Sequence, residues 1–223
     1  MSRDGAPLSP EQVIARAIAL ADAEGLEALT MRRLASDLGV TPMALYNHVP
    51  NREGLLDAMV EHIVATFPPV QPGGDWQDAL RARLLSARSA TESHAWFRDA
   101  IQTRTLAGPH VLGYMDSLMH IMFDGGLSAD LVHHAMHTLS TRMWGFTRDV
   151  LPTPAVPDDP VAREEMYRQA AIAFPNIIRM ATTAPGAGQD CDDRAEFEFA
   201  IDVMIDGFAR RHASQWSSLE QGY

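Results

Sequence analysis

The sequence predicts an all-α protein, and three observations carry that prediction. Helix start and stop signals recur along the whole chain, apolar residues repeat at three- and four-residue spacing, and nothing alternates with period two for long enough to make a strand. With 223 residues, 46% hydrophobic and 21% charged, the chain has ordinary globular composition and enough length to bury a core without staples. Its single cysteine, Cys191, allows no intrachain disulfide.

The elements follow in order. Ser9-Pro10-Glu11-Gln12 reads as a capping box, with Ser9 the N-cap, Pro10 at the first helical position and Gln12 placed to reach back. Val13, Ala17, Leu20 and Ala21 then repeat at helical spacing until Gly25 stops the helix. Thr30 caps a short helix over residues 31–38, ended by Gly39, and Thr41-Pro42 opens another over 43–49. Pro50 breaks it, and Asn51 caps a fourth helix over about 52–66. Phe67-Pro68-Pro69-Val70-Gln71-Pro72-Gly73-Gly74 is the clearest linker, and it divides the chain into domains of residues 1–66 and 67–223. The second domain reads as helices near 75–93, 95–104, 109–124, 128–149, 161–181 and 192–213, with loops at 152–160 and 182–189.

Net charge is -11, and all 18 basic residues are arginine. Residues 1–65 alone hold five arginines against nine carboxylates. Wholesale coating of nucleic acid is excluded, because phosphate neutralisation needs cations. A small reading head is not, since it depends on where a few arginines stand; arginine is the better bidentate partner for guanine and phosphate. No apolar run approaches the ~20 residues that span a bilayer, and the N-terminus is polar where a signal peptide is apolar. A soluble, cytoplasmic protein without membrane association is expected.

Residues 34–46 meet the physical requirements of a helix-turn-helix. Ala35 is small where two helices cross, Gly39 supplies a tight turn, and Leu34, Leu38, Val40 and Leu45 fix the crossing angle. A small helical hairpin packed in a core has the same pattern. The wider stretch narrows the choice. Leu29-Thr30-Met31-Arg32-Arg33-Leu34-Ala35, Leu38-Gly39-Val40, Leu45-Tyr46-Asn47-His48-Val49 and Asn51-Arg52-Glu53-Gly54-Leu55-Leu56-Asp57 resemble the TetR family of bacterial repressors, Leu-Tyr-x-His-Val in particular the tetracycline repressor's own branch. The resemblance is specific over about 13–60 and weaker beyond, with echoes at His94-Ala95-Trp96-Phe97 and 197–202.

That resemblance implies a three-helix DNA-binding domain joined by a connecting helix to a helical ligand-binding and dimerisation bundle. It places Arg32 where a guanine is read, and Pro42, Met43, Ala44 and Asn47 on the base-facing side of the recognition helix. Thr41, Tyr46, His48 and Arg52 match positions that clamp the phosphate backbone. The expected partners are a double-stranded operator, a second copy of the chain and a small-molecule effector. Repression relieved by the effector is the expected mode.

For the second domain the resemblance implies a ligand cavity, and the residues are compatible with one. Met115, Met119 and Met122 share a helix face, and methionine lines adaptable pockets, although such a stripe is also ordinary core. Trp96, His137 and Trp144 complete the candidate lining. His133 and His137, four residues apart, have no carboxylate or cysteine in register, so neither a metal nor a cofactor is expected. Phe197, Ile201, Met204, Ile205 and Phe208 form a broad apolar face on the last helix, the choice for the dimer interface beside the 128–149 helix; a purely intrachain core is the competing reading. Pro68 and its neighbours fall where the tetracycline branch has a ligand-contacting histidine, which argues against tetracycline with magnesium. A largely apolar or aromatic effector fits better.

No catalytic constellation is present: no nucleophile elbow, no His-Glu-x-x-His, no glycine-rich phosphate loop. Cys191 stands among Asp190, Asp192 and Asp193, which disfavour a thiolate. The chain is expected not to be an enzyme. The alternatives are a helical-bundle carrier or enzyme with a vestigial helix-turn-helix, or a dimer that no longer binds DNA.

Overall fold

The structure, a computed structural model, describes residues 8–69, 74–103, 107–144, 157–183 and 192–221, and among these it is helical with no strand. In order come α1 (Pro10–Glu24), α2 (Met31–Leu38), α3 (Pro42–Tyr46), α4 (Arg52–Ala65), α5 (Trp76–Thr91), α6 (Phe97–Gln102), α7 (Pro109–Asp124), α8 (Ala129–Trp144), α9 (Pro160–Ala173), α10 (Pro175–Thr183) and α11 (Asp193–Ala213), then a 3-10 turn at Ser218–Gln221. The all-α expectation holds. Cys191 and the far end of the expected 128–149 helix lie outside the described residues.

The helix starts are set by the side chains the sequence marks. Ser9 accepts the Gln12 N–H at 3.3 Å while Gln12 Oε1 accepts the Ser9 N–H at 3.0 Å, a reciprocal box. Thr30 accepts from Arg33, Thr41 from Ala44 and Asn51 from Gly54, at 3.1, 3.3 and 2.8 Å. Each such cap contributes roughly 1 kcal/mol. Two elements differ from the expectation. The third helix ends at Tyr46, where the Leu45 carbonyl takes the N–H groups of His48 and Val49 and closes the last turn. The single helix expected over 161–181 is two, because Pro175 lacks an N–H and turns Phe174 out of helical geometry (φ -135°, ψ 59°).

Residue contacts divide the chain into one unit of residues 1–146 and 200–223 and another of residues 147–199. α4 packs on α1 and also on α5, α6 and α7. Val13, Ala17 and Leu20 of α1, with Leu29, Leu34, Leu45, Leu55 and Met59, are buried at the N-terminal end of the first unit. Leu80, Leu84, Phe97, Tyr114, Leu118, Met122, Leu131, Ala135 and Leu139 are buried in its helical bundle. In the second unit α9, α10 and the Phe174 between them carry large exposed apolar side chains, Val161, Tyr167, Ile172, Phe174 and Ile177. Among the described residues no helix is long and apolar enough to cross a membrane.

Candidate nucleic-acid interface and effector groove

Between α2 and α3 the chain turns at Gly39, whose φ of +69° and ψ of 28° lie in the left-handed region that a side chain disfavours. Its N–H returns to the Ala35 and Ser36 carbonyls and closes α2. Leu34, Ala35, Leu45 and Val49 are buried, which seats α3 across α2 and fixes which of its residues face outward. Arg32, Thr41, Pro42, Met43, Tyr46 and Asn47 are exposed; Ala44 and His48 are half-buried. Met43 is 73% exposed, a large apolar side chain presented to water from the second position of a helix. The Thr41 hydroxyl accepts the cap bond and keeps its own O–H for an acceptor outside the protein.

The arginines of this domain explain how an acidic chain presents a cationic point. Arg16 is paired with Asp37, and Arg33 with Glu24 at 2.6 Å and with Asp37 at 3.4 Å. The Arg16 hydrogen bond, with help from the charge of Arg33, holds the Asp37 carboxyl below its usual range. Arg52 donates from Nε to the Leu29 carbonyl at 3.2 Å and from Nη2 to the Leu26 carbonyl at 2.9 Å. The guanidinium thereby ties the start of α4 to the loop between α1 and α2. Arg32 is the one described arginine of α1–α4 without a hydrogen bond or ion pair among the described residues. Its side chain is exposed.

Two carboxylates of α1 and α4 reach the helical bundle. Asp22 Oδ1 accepts the Trp96 indole N–H at 2.6 Å and lies 2.8 Å from His94 Nδ1. Glu61 accepts the backbone N–H groups of His110 at 2.7 Å and Val111 at 3.2 Å. Neither contact was legible beforehand, because the partners stand 49 to 74 residues away with no periodic signal.

An open groove of about 320 Å³ lies between α7 and α8, lined by Met115, Met119, Phe123, Val132, His133, Met136, His137 and Ser140. Its chemistry is sulfur, aromatic and aliphatic carbon with two imidazoles, the His133 and His137 rings stacked edge to face at 4.7 Å. Of the expected lining, Met115, Met119 and His137 are brought together here. Met122 is fully buried in the core instead, and Trp96 is buried and held by Asp22 rather than facing the groove. The Trp144 side chain lies outside the described residues. His133 and Met136, absent from the expected lining, also face the groove; each stands within four residues of His137 on one helix, which is the signal that finds them. The apolar stripe expected at the dimer interface lies largely inside the protomer. Phe197, Ile201, Ile205 and Phe208 are buried within the protomer and Met204 is half-buried, whereas Phe199 and Val203 of the same helix are exposed.

Comparison with known proteins gives two family matches that together cover most of the chain. Residues 13–59 match the family described as bacterial regulatory proteins, tetR family, and residues 68–212 match the tetracyclin repressor-like C-terminal domain. The chain is 32% identical over 210 residues to the tetracycline repressor protein class A from Escherichia coli, covering 92% of both. It is 34% identical over 123 residues to the transcriptional repressor DrrR1 of Streptomyces coeruleorubidus, a match over 54% of this chain and about half the length of that protein, 46%. Among solved structures, apo ActR from Streptomyces coelicolor superimposes with a TM-score of 0.75 at 25% identity, over 95% of this chain and all of that one. ActR has also been solved with actinorhodin bound, with a TM-score of 0.71 and 27% identity over 92% of this chain and 98% of that one.

Proposed function

The chain belongs to the TetR family of bacterial regulators, and from that premise we propose that it is a homodimeric repressor of a pseudo-palindromic operator, released by a small aromatic effector. The observation that carries this reading is the outward side of the helix-turn-helix. Three described arginines of α1–α4 are engaged among the described residues, while Arg32 is exposed, as are Thr41, Pro42, Met43, Tyr46 and Asn47. That set supplies a bidentate donor for guanine, an amide for adenine, apolar contacts for thymine methyls and hydroxyls for phosphate. Two copies would read half-sites about 34–36 Å apart, one turn of the duplex.

The groove between α7 and α8 supports the effector class. Methionine and phenylalanine suit a flat apolar body, and His133, His137 and Ser140 offer polar atoms for its hydroxyl or carbonyl groups. The similarity to ActR, solved with actinorhodin, points the same way. The second copy is assigned to the exposed side of α11, where Phe199 and Val203 stand four residues apart. Function of this kind is binding alone, with no bond made or broken.

The test is selection from a random duplex pool, followed by release. The reading predicts recovery of a site with two-fold symmetric halves, and dissociation when actinorhodin or a related hydroxylated polycyclic aromatic is added. Recovery of no preferred sequence contradicts it and favours a carrier with a vestigial helix-turn-helix.

A further inference from the structure

Building on that regulator reading, we propose that Glu61 is the residue through which the helix lining the effector groove and the helix leaving the DNA-binding domain hold each other in register. α7 begins at Gly108 with no side-chain cap of its own. The first N–H groups of a helix need acceptors, and the helix dipole makes an anion the preferred one. Here the acceptor comes from another element: the Glu61 carboxylate, three turns along α4, takes the N–H groups of His110 and Val111 with one oxygen each. Charge-assisted bonds of this kind are roughly twice as strong as neutral ones. A movement of α7 along its axis must therefore either carry α4 with it or break both bonds.

Gly108 shows that the approach is built in. A Cβ there would lie 2.4 to 2.8 Å from the Glu61 carboxyl group, so any larger residue at the N-cap pushes the carboxylate away. The backbone at Gly108 has an ordinary extended conformation, φ -81° and ψ -179°, so a side chain there meets the Glu61 carboxylate but no backbone strain. The same α7 carries Met115, Met119 and Phe123 into the groove two to four turns further on. At its other end α4 is fastened to the reading head by Arg52, which holds the Leu26 and Leu29 carbonyls. Groove, α7, Glu61, α4 and helix-turn-helix thus form one continuous chain of contacts. The Asp22–Trp96 bond is a separate tether and persists when Glu61 is replaced, so the two halves stay joined.

The test is hydrogen–deuterium exchange on the full-length protein, with and without the selected duplex, for wild type, Glu61→Ala and Gly108→Ala. Gly108→Ala breaks the same contact from the opposite side and keeps the carboxylate in the chain, which separates loss of coupling from loss of a charge. In wild type, duplex binding slows exchange across residues 109–124. In both variants that response disappears, and the His110 and Val111 amides exchange about tenfold faster in the free protein. Affinity for the duplex stays within about threefold of wild type, since no DNA-facing group is altered. Exchange in α7 that ignores the duplex in wild type, or responds equally in the variants, overturns the proposal while leaving the regulator reading intact. Failure of the pool to yield any preferred duplex instead removes the regulator reading, and the coupling with it.

Discussion

The indole N–H of Trp96 donates to Asp22 Oδ1 at 2.6 Å, joining α1 to the start of α6 across 74 residues of sequence. The ring itself is buried, tilted against Phe97 and His94. Asp22→Ala leaves a buried donor unpaired and is expected to destabilise the fold by about 1–3 kcal/mol. Trp96→Phe removes donor and ring area together; its cost is similar, read from urea denaturation. Effector affinity is unchanged in both, because neither side chain lines the groove.

Arg52 separates structural from DNA-contacting arginines. Arg52→Ala removes two bonds to backbone carbonyls from a charged donor, although the Leu26 carbonyl keeps the Leu29 N–H. A loss of about 1.5–3 kcal/mol in stability is expected. The salt dependence of operator binding keeps its wild-type slope, measured by titration with potassium chloride. A slope reduced by about 0.9 per half-site would support the phosphate-clamp role.

Filling the groove isolates effector binding. Met119 is half-buried on its wall, so Met119→Trp occupies the open space without disturbing the core. The variant is expected to keep operator affinity and melting temperature while losing at least about tenfold in response to the aromatic effector. Met122→Trp, by contrast, overpacks a fully buried site and lowers stability by about 1–3 kcal/mol.

Acid sensitivity follows from two carboxylates. Asp130 is held below its usual range chiefly by the Ser218 backbone N–H at 2.6 Å, and by the Ser218 hydroxyl. Asp37 is held down chiefly by its hydrogen bond with Arg16. For a depressed carboxyl the stabilisation is complete above its unfolded value, about 3.9, and is lost as pH falls through the lower folded value. The melting temperature should therefore drop below about pH 4. In Asp130→Asn the drop is shallower and the starting stability lower, read by circular dichroism across pH 2 to 6.

Local rules made the reading head legible. Ser9, Thr30, Thr41 and Asn51 cap helices where their spacing places them, and Gly39 takes the left-handed conformation its turn requires. Periodicity found the α7 methionines but not which of them face the groove; Met119 and Met122 differ by three residues, and only the packing of α8 puts one outside and the other in the core. The stripe on α11 was read correctly as apolar, yet periodicity is silent on whether such a stripe meets its own chain or a second copy. The roles of Arg52, Trp96 and Glu61 depend on partners far along the chain, which local pattern does not carry.

The central claim is that Arg32, without a hydrogen bond or ion pair among the described residues, reads the operator. Fluorescence anisotropy of wild type and Arg32→Ala on the selected duplex, titrated with salt beside a scrambled duplex, tests it most directly. Wild type is expected to bind the selected site tightly, weaken steeply as salt rises and resist competition. Arg32→Ala should keep its melting temperature, since no bond within the described protein is lost, and bind at least about tenfold more weakly, with the preference over scrambled DNA reduced. Equal affinity and equal preference in the variant would contradict the assignment and move recognition to the Met43–Asn47 side of α3 alone.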